Sequence, residues 1–339
     1  MGLAFQTIDE WRKWQASRRR IHVLKDVLLR RTSTPTDAPD VRFWARGDNP
    51  ALLIACDSDS PTNHFSLLAP LERDGAPAVV AHPAGVDLSL DQTIWRPIDH
   101  DDVPWSAITS LASIGDHLPV GAWAHGLANT HGWQQWVVQH GLLTPFSPPP
   151  PRGATVLTWS DADAAFLREG RPDLQCTTVG SPLLYNAARH PAPHVSRFAK
   201  PVFLGQLHGA ELSRASMTRS VTAFWKETGA TYRPHPREED KLSRAQHALW
   251  QRMGMEISTG GALAQLNRPV VAAFSTGILE AAARGIPAWV YHQRPPSWLE
   301  EFWSRYAMAR WGGRPTPAPE IVADPAARIA STLTGTNPL

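Results

Sequence analysis

Apolar residues gather along this chain in short unbroken runs, with little alternation. ALLIAC (51–56), APAVVAH (76–82), LPVGAWAH (118–125), QWVVQHG (135–141) and ATVLTWS (154–160) are each bounded by Gly, Pro or Asp. A strand with one face in water alternates apolar and polar positions, whereas a strand buried on both faces does not. The runs therefore predict strands of a parallel sheet covered by helices. DADAAFLREG reads as a helix ending at Gly170, and QCTTVGSP as one more strand. The first thirty residues read as a helix, with Trp11 and Trp14 set among Arg and Lys.

The second half repeats the pattern with clearer punctuation. PVFLGQLHG (201–209), ATYRP, MEIS, RPVVAAFS and IPAWVYH predict strands. Between them, SRASMTRSVTAFWKETG predicts a helix with Ser213 as N-cap and Gly229 beyond its end. REEDKLSRAQHALWQRMG predicts another, and TGILEAAARG a third, closed by Gly285. Such repeated βα alternation marks a doubly wound α/β domain. YNAARHPAPHVSRFAK (185–200), with two prolines and no period, reads as a linker. SWLEEFWSRYAMARW reads as an amphipathic helix whose tryptophans pack back across the domain boundary. The predicted fold is α/β, two Rossmann-like domains with an interdomain cleft. The boundaries are 1–184 (1–31 a basic helix), the linker 185–200, a domain over 201–296, and a C-terminal helix and tail over 297–339.

Composition narrows the class. At 339 residues the chain exceeds one small core. A net charge of only +2 gives no global argument for nucleic acid. The basic density of WRKWQASRRRIHVLKDVLLRR suits either contact with an anionic membrane or a solvated helix packed on its own domain. Cys56 and Cys176 have no metal-ligand spacing and sit in apolar runs, as buried free thiols in a reducing cytoplasm do. No apolar stretch is long enough to span a bilayer, and the N-terminus lacks the apolar core of a signal peptide. The expected location is the cytoplasm, at the inner face of the plasma membrane if the basic helix binds there. Trp133, Trp136, Trp298 and Trp303 sit beside polar residues, where an indole can line a groove, although core packing is the commoner use.

Ligands of doubly wound sheets bind beyond the carboxyl ends of strands. Four segments place chemistry there. RPHPRE follows a predicted strand, so Arg233 and His235 would reach an anion, helped by the unpaired amides of a helix opening at that point. In VVAAFSTGILEAAARGIP, Ser275, Thr276 and Gly277 form a second anion cradle, and Glu280 lies one turn further, able to accept from ribose hydroxyls. FLGQLHG places Gly205 and Gln206 at a strand end, the glycine letting backbone amides approach a phosphate. VVQHG delivers His140 from the most apolar strand as a candidate general base, in competition with His125 and His131. No metal site is apparent, since the DSD at Asp57–Asp59 stands alone and Arg, His and helix ends can neutralise a leaving phosphate.

The QHG strand end, VGSP, RPHP and STGILEAAARGIP together resemble glycosyltransferases of the GT-B fold over roughly residues 120–292. They are similar to bacterial families with an HP motif followed by a Ser/Thr motif: capsule sialyl- and Kdo-type transferases, and CDP-glycerol glycerophosphotransferases of teichoic acid synthesis. The resemblance implies a nucleotide-donor domain over 201–296, an acceptor-side domain over 1–184, and a cytidine-activated donor as substrate with no other cofactor. It puts His235 on the donor phosphate, with Ser275 and Thr276 beside it, and His140 as the base. In the glycerophosphotransferases the histidine follows a Trp and precedes Gly-Thr-Pro. Here Gln139 precedes it, and Leu142 and Leu143 intervene before Thr144. The sialyltransferase-like families use a carboxylate base, for which Asp57 and Asp59 are the candidates. The expected activity is transfer of a sugar, or a polyol phosphate, to a hydroxyl of a cell-surface glycan or teichoic-acid-like polymer. A nucleotide-sugar epimerase or a non-catalytic glycan-binding protein on the same fold is the alternative.

Overall fold

A computed structural model describes residues 1–18, 39–258, 263–321 and 323–335. They form two compact units, Met1–Leu183 with Val322–Leu339, and Leu184–Ile321. Of the predicted basic helix, α1 (Ile8–Arg18) is described. The rest of it, residues 19–31, and with it most of the basic stretch 11–31 to which the membrane contact was assigned, lies outside the described residues. No described helix is long and apolar enough to cross a membrane.

The first unit is built on β1 (Val41–Arg46), β2 (Leu52–Ala55), β3 (Ala78–Pro83), β4 (Arg96–Ile98), β5 (Ser110–Ser113), β6 (Gln134–Val138), β7 (Thr155–Thr158) and β8 (Gln175–Thr178). They lie in the order β4-β1-β3-β2-β5-β6-β7-β8. From β3 to β8 all neighbours are parallel, and β1 is antiparallel to both β3 and β4. The sheet is thus mixed at one edge, where the apolar runs alone predict a parallel one. Burial of β2 on both faces explains its unbroken apolar run. Leu52 and Ile54 pack with Leu68 and Leu71, and with Ile329 and Leu333, on one side. Leu53 and Ala55 pack with Val120, Ala124 and Ala128 on the other.

Packed on this sheet are α2 (Ala69–Asp74), α3 (Pro119–His131), α4 (Asp161–Gly170) and the C-terminal Pro325–Thr334. The segment LPVGAWAH is not a strand, as its apolar run suggests, but the first part of α3. Its buried positions, Val120, Ala124 and Ala128, recur every four residues and lie against the sheet. A short apolar run has no period of its own to tell the two apart. The true strand here is β5, hidden in SLAS, whose Ser and Ala residues carry little strand propensity.

The second unit has a four-stranded parallel sheet of β9 (Val202–Leu204), β10 (Thr231–Arg233), β11 (Val270–Ala272) and β12 (Ala288–Val290), in the order β10-β9-β11-β12. MEIS contributes only an isolated bridge from Ile257 to Tyr232. Between the strands run α6 (Arg214–Thr228), α7 (Lys241–Arg252) and α8 (Gly277–Ala283), and α9 (Ser297–Arg305) follows β12. Ser213 accepts from Ser216 N and Gly229 takes the left-handed conformation, so α6 starts and stops at the residues its sequence marks. A short helix, α5 (Pro182–Ala188), occupies the start of the predicted linker. Trp303 Nε1 donates to Ala273 O (2.7 Å) and the Trp298 ring meets Phe274, all within the second unit. It is the later helix, α10 (Pro325–Thr334), that packs on the first unit's sheet and α2 through Ile329 and Leu333.

Candidate functional site

In the second unit, β10, β9 and β11 are parallel neighbours, so the loops leaving their carboxyl ends emerge on one edge. β10 ends on Arg233, and the loops carry His235, Gly205 through His208, and Ser275 with Thr276. Contacts tie them together. The His208 and His235 rings stack with centroids 4.0 Å apart and planes inclined by 24°. Gln206 Oε1 accepts from Phe274 N (3.1 Å), joining the loop after β9 to the residue before Ser275.

The Arg-Pro-His-Pro segment does not open a helix, contrary to the expectation. It is a turn closed by Glu238 N donating to His235 O (2.8 Å), and α7 begins only at Lys241. The Asp240 carboxylate accepts from Leu242 N and Ser243 N (3.0 Å each) and binds the Arg214 guanidinium. The helix end is therefore occupied by the chain's own anion, and the amides expected to serve a ligand are taken. His235 does not need them. Its Nδ1 accepts from Arg237 N (3.1 Å), which leaves the proton of the neutral ring on Nε2. Burial, with the Arg237 charge adding to it, lowers the imidazole's pKa. At neutral pH His235 is a neutral Nε2–H donor.

Two glycines prove to serve packing. A Cβ at Gly205 would lie 2.4 Å from Tyr232 Oη and 2.7 Å from Glu238 Oε1, so no side chain fits. One at Gly277 would lie 2.7 Å from Leu204 Cδ1, so this glycine lets α8 close on β9. Ser275 Oγ accepts from Gly277 N (3.1 Å), as in an ordinary helix-capping turn, and Thr276 N-caps α8 by position without a side-chain bond.

Glu280, half-buried on α8, has its carboxyl raised to about 7 by burial, partly opposed by the Arg284 charge. Its folded pKa lies above its unfolded one. Stability from the protonated form is therefore full below about 4.5 and lost as pH rises through about 7. Glu280→Gln is expected to melt with the wild type at pH 4 and above it at pH 8, by roughly 1–2 kcal/mol after allowance for partial exposure. Equal melting curves at pH 8 would remove the burial argument.

In the first unit, the carboxyl ends of β2, β5 and β6 are likewise neighbours. Asp57, after β2, is committed elsewhere: Oδ1 accepts from Val120 N (2.8 Å) and Oδ2 from Gly121 N (2.9 Å), so it caps α3. Burial pushes this carboxyl up while the two amides hold it down. As a base it would have to abandon the helix end. Asp59 is exposed and binds Ser89 Oγ (3.0 Å). His140, after β6, stacks on His117 (6.2 Å, 13°). His125 is buried within α3 and linked to Ser113 Oγ (2.8 Å) and Gln135 Oε1 (2.6 Å), out of reach of any substrate. His131 is exposed against Trp133.

The sequence reading missed Asp116 and His117, in the loop after β5. Asp116 is half-buried, its Oδ1 is enclosed without a hydrogen-bond partner, and burial raises its pKa. The signal was the GDH that ends SLASIGDH, invisible while β5 went unrecognised. Trp133, Trp298 and Trp303 are buried in the cores, and Trp136 packs against one. A groove of about 680 Å³ opens beside β1 and β4, lined by Trp44, His82 and His100 among others, and none of the candidate residues lines it. Among the described residues no three His, Cys, Asp or Glu side chains gather as a metal site would require.

Neither protein-family models nor curated protein sequences returned a match to the chain. Solved structures did. The chain is similar to UDP-GlcNAc 2-epimerase of Methanocaldococcus jannaschii in complex with UDP-GlcNAc and UDP, with a TM-score of 0.53, 12% identity, and coverage of 84% of this chain and 99% of that one. The corresponding figures for UDP-N-acetylglucosamine 2-epimerase of Rickettsia bellii are 0.50, 12%, 84% and 88%. Anabaena HepE, in complex with UDP and glucose, follows with 0.43, 13%, 84% and 95%. At such identity the likeness is one of fold: α/β, with two Rossmann-like domains of the GT-B type.

Proposed function

We propose that this chain is a nucleotide-sugar enzyme whose second unit holds the nucleotide's phosphates at the carboxyl ends of β10, β9 and β11. One observation carries this: three loops from adjacent parallel strands bring an Nε2–H imidazole, a second imidazole stacked on it and a Ser-Thr pair to one edge, with Gln206 linking two of them. Arg233, His235, Ser275 and Thr276 stabilise the departing phosphate, and Glu280 accepts from the ribose. In transfer, His140 takes the acceptor hydroxyl's proton, the oxygen bonds to the sugar's anomeric carbon, and the bond from that carbon to the phosphate oxygen breaks, its electron pair leaving with the nucleotide. The acceptor is a hydroxyl of a cell-surface glycan or teichoic-acid-like polymer, and the donor a cytidine-activated sugar, as the resemblance of the RPHP and STG segments implies.

Epimerisation of the bound sugar is the alternative to transfer, and one observation favours it. Asp116, with its enclosed oxygen, shares a loop with His117, which stacks on His140. A raised carboxyl and imidazoles can exchange protons with a sugar without any acceptor. Incubation with CMP-, CDP- and UDP-sugars alone separates the two, since only an epimerase turns over without an acceptor. Thermal shifts with CMP, CDP, UDP and GDP come first, with a rise expected for the nucleotide that binds the folded chain. No rise with any of them overturns the nucleotide function.

A further inference from the structure

Glu238 has no part in the chemistry above, yet its carboxylate is buried, its residue only 4% exposed. Burying a charge is costly unless donors surround it. Three do, each from a different element. Leu207 N, in the loop after β9, donates to Oε1 (2.9 Å). Tyr232 Oη, on β10, donates to Oε2 (2.9 Å), and so does His247 Nε2, on α7 (2.9 Å). Burial and the neighbouring carboxylate raise the Tyr232 phenol's pKa, so it remains a donor at any working pH. The backbone of Glu238 also closes the turn on His235 O. One residue thus fixes the amide just before His208 and the turn that carries His235, the two members of the stacked pair.

We infer that Glu238 is the positioning residue of the phosphate site: it sets the loop after β9 and the Arg-Pro-His-Pro turn in their binding geometry before any ligand arrives. This rests on the nucleotide-binding function proposed above. An apolar side chain of the same shape would fill the space without a buried charge. Only an acceptor can hold the Leu207 amide and bring His208 against His235. The glycine at 205 belongs to the same device, since any Cβ there would displace Tyr232 Oη and Glu238 Oε1.

The test compares the full-length wild type with Glu238→Ala, Glu238→Gln and Glu238→Asp, by titration calorimetry with CDP and UDP and by amide exchange at Leu207 without ligand. Glu238→Ala is expected to bind at least tenfold more weakly and to exchange Leu207 faster. Glu238→Gln, whose oxygen still accepts from Leu207 and whose NH2 can donate to Tyr232 and His247, is expected to recover to within threefold. Glu238→Asp keeps the charge but falls a methylene short, and is expected to resemble Ala. Should the Ala variant fail to fold, the Gln and Asp pair decides: equal affinity and equal Leu207 exchange overturn the inference. A folded Ala variant with wild-type affinity and exchange also overturns it. If the wild type binds neither CDP nor UDP, phosphate binding fails as the purpose, and Leu207 exchange alone then decides whether Glu238 holds the loop.

Discussion

His235→Ala is expected to cut sharply the thermal shift produced by the nucleotide that stabilises the wild type, while leaving the unliganded melting temperature within about 2 °C. The ring is held by a bond from Arg237 N to Nδ1 and by its stack on His208, and neither supports the core of the second unit. In the proposed site its Nε2–H is the donor offered to the phosphate. A hydrogen bond to a charged group contributes about 1.5–3 kcal/mol, which corresponds to a loss of roughly 10- to 150-fold in affinity. His235→Gln, which presents an amide donor at similar reach, is expected to retain part of the binding. If the Ala variant keeps both the nucleotide shift and turnover, the phosphate does not sit at this turn.

Asp57→Ala is expected to produce the largest loss of stability, and for a reason unrelated to catalysis. It leaves the Val120 and Gly121 amides, at the buried start of α3, without acceptors. Loss of a cap costs about 1 kcal/mol, and leaving a buried donor unsatisfied a further 1–3 kcal/mol, so a total of about 2–4 kcal/mol is expected. Calorimetry should show the first unit's transition lowered by about 5–10 °C. Asp57→Asn keeps one acceptor oxygen and should fall between. Were Asp57 the general base instead, Asn would remove activity with the melting temperature unchanged.

The contrast between these two residues shows what could be read in the chain and what could not. The RPHP and ST segments stand out because proline, histidine and hydroxyl residues at strand ends are local features, and the punctuation of α6 by Ser213 and Gly229 is local too. Asp57 looked equally chemical. Its engagement with α3 depends on an element 63 residues away in the chain, one that the same apolar run presented as a strand. Asp116 was overlooked for the complementary reason: SLAS carries no strand signal, and only its place between β2 and β6 sets its carboxyl end beside theirs.

By itself the sequence determined that the chain is α/β, that its second half alternates strand and helix, and that its Arg-Pro-His-Pro and Ser-Thr segments follow strands. Each of these depends on propensity, period and capping within a few neighbours. Tertiary structure decided the mixed edge of the first sheet, the occupation of two helix ends by Asp57 and Asp240, the packing roles of Gly205 and Gly277, and the gathering of three donors around Glu238. Those depend on which distant groups meet in a buried space, where an uncompensated charge or an unfilled amide is costly, and no local pattern records such meetings.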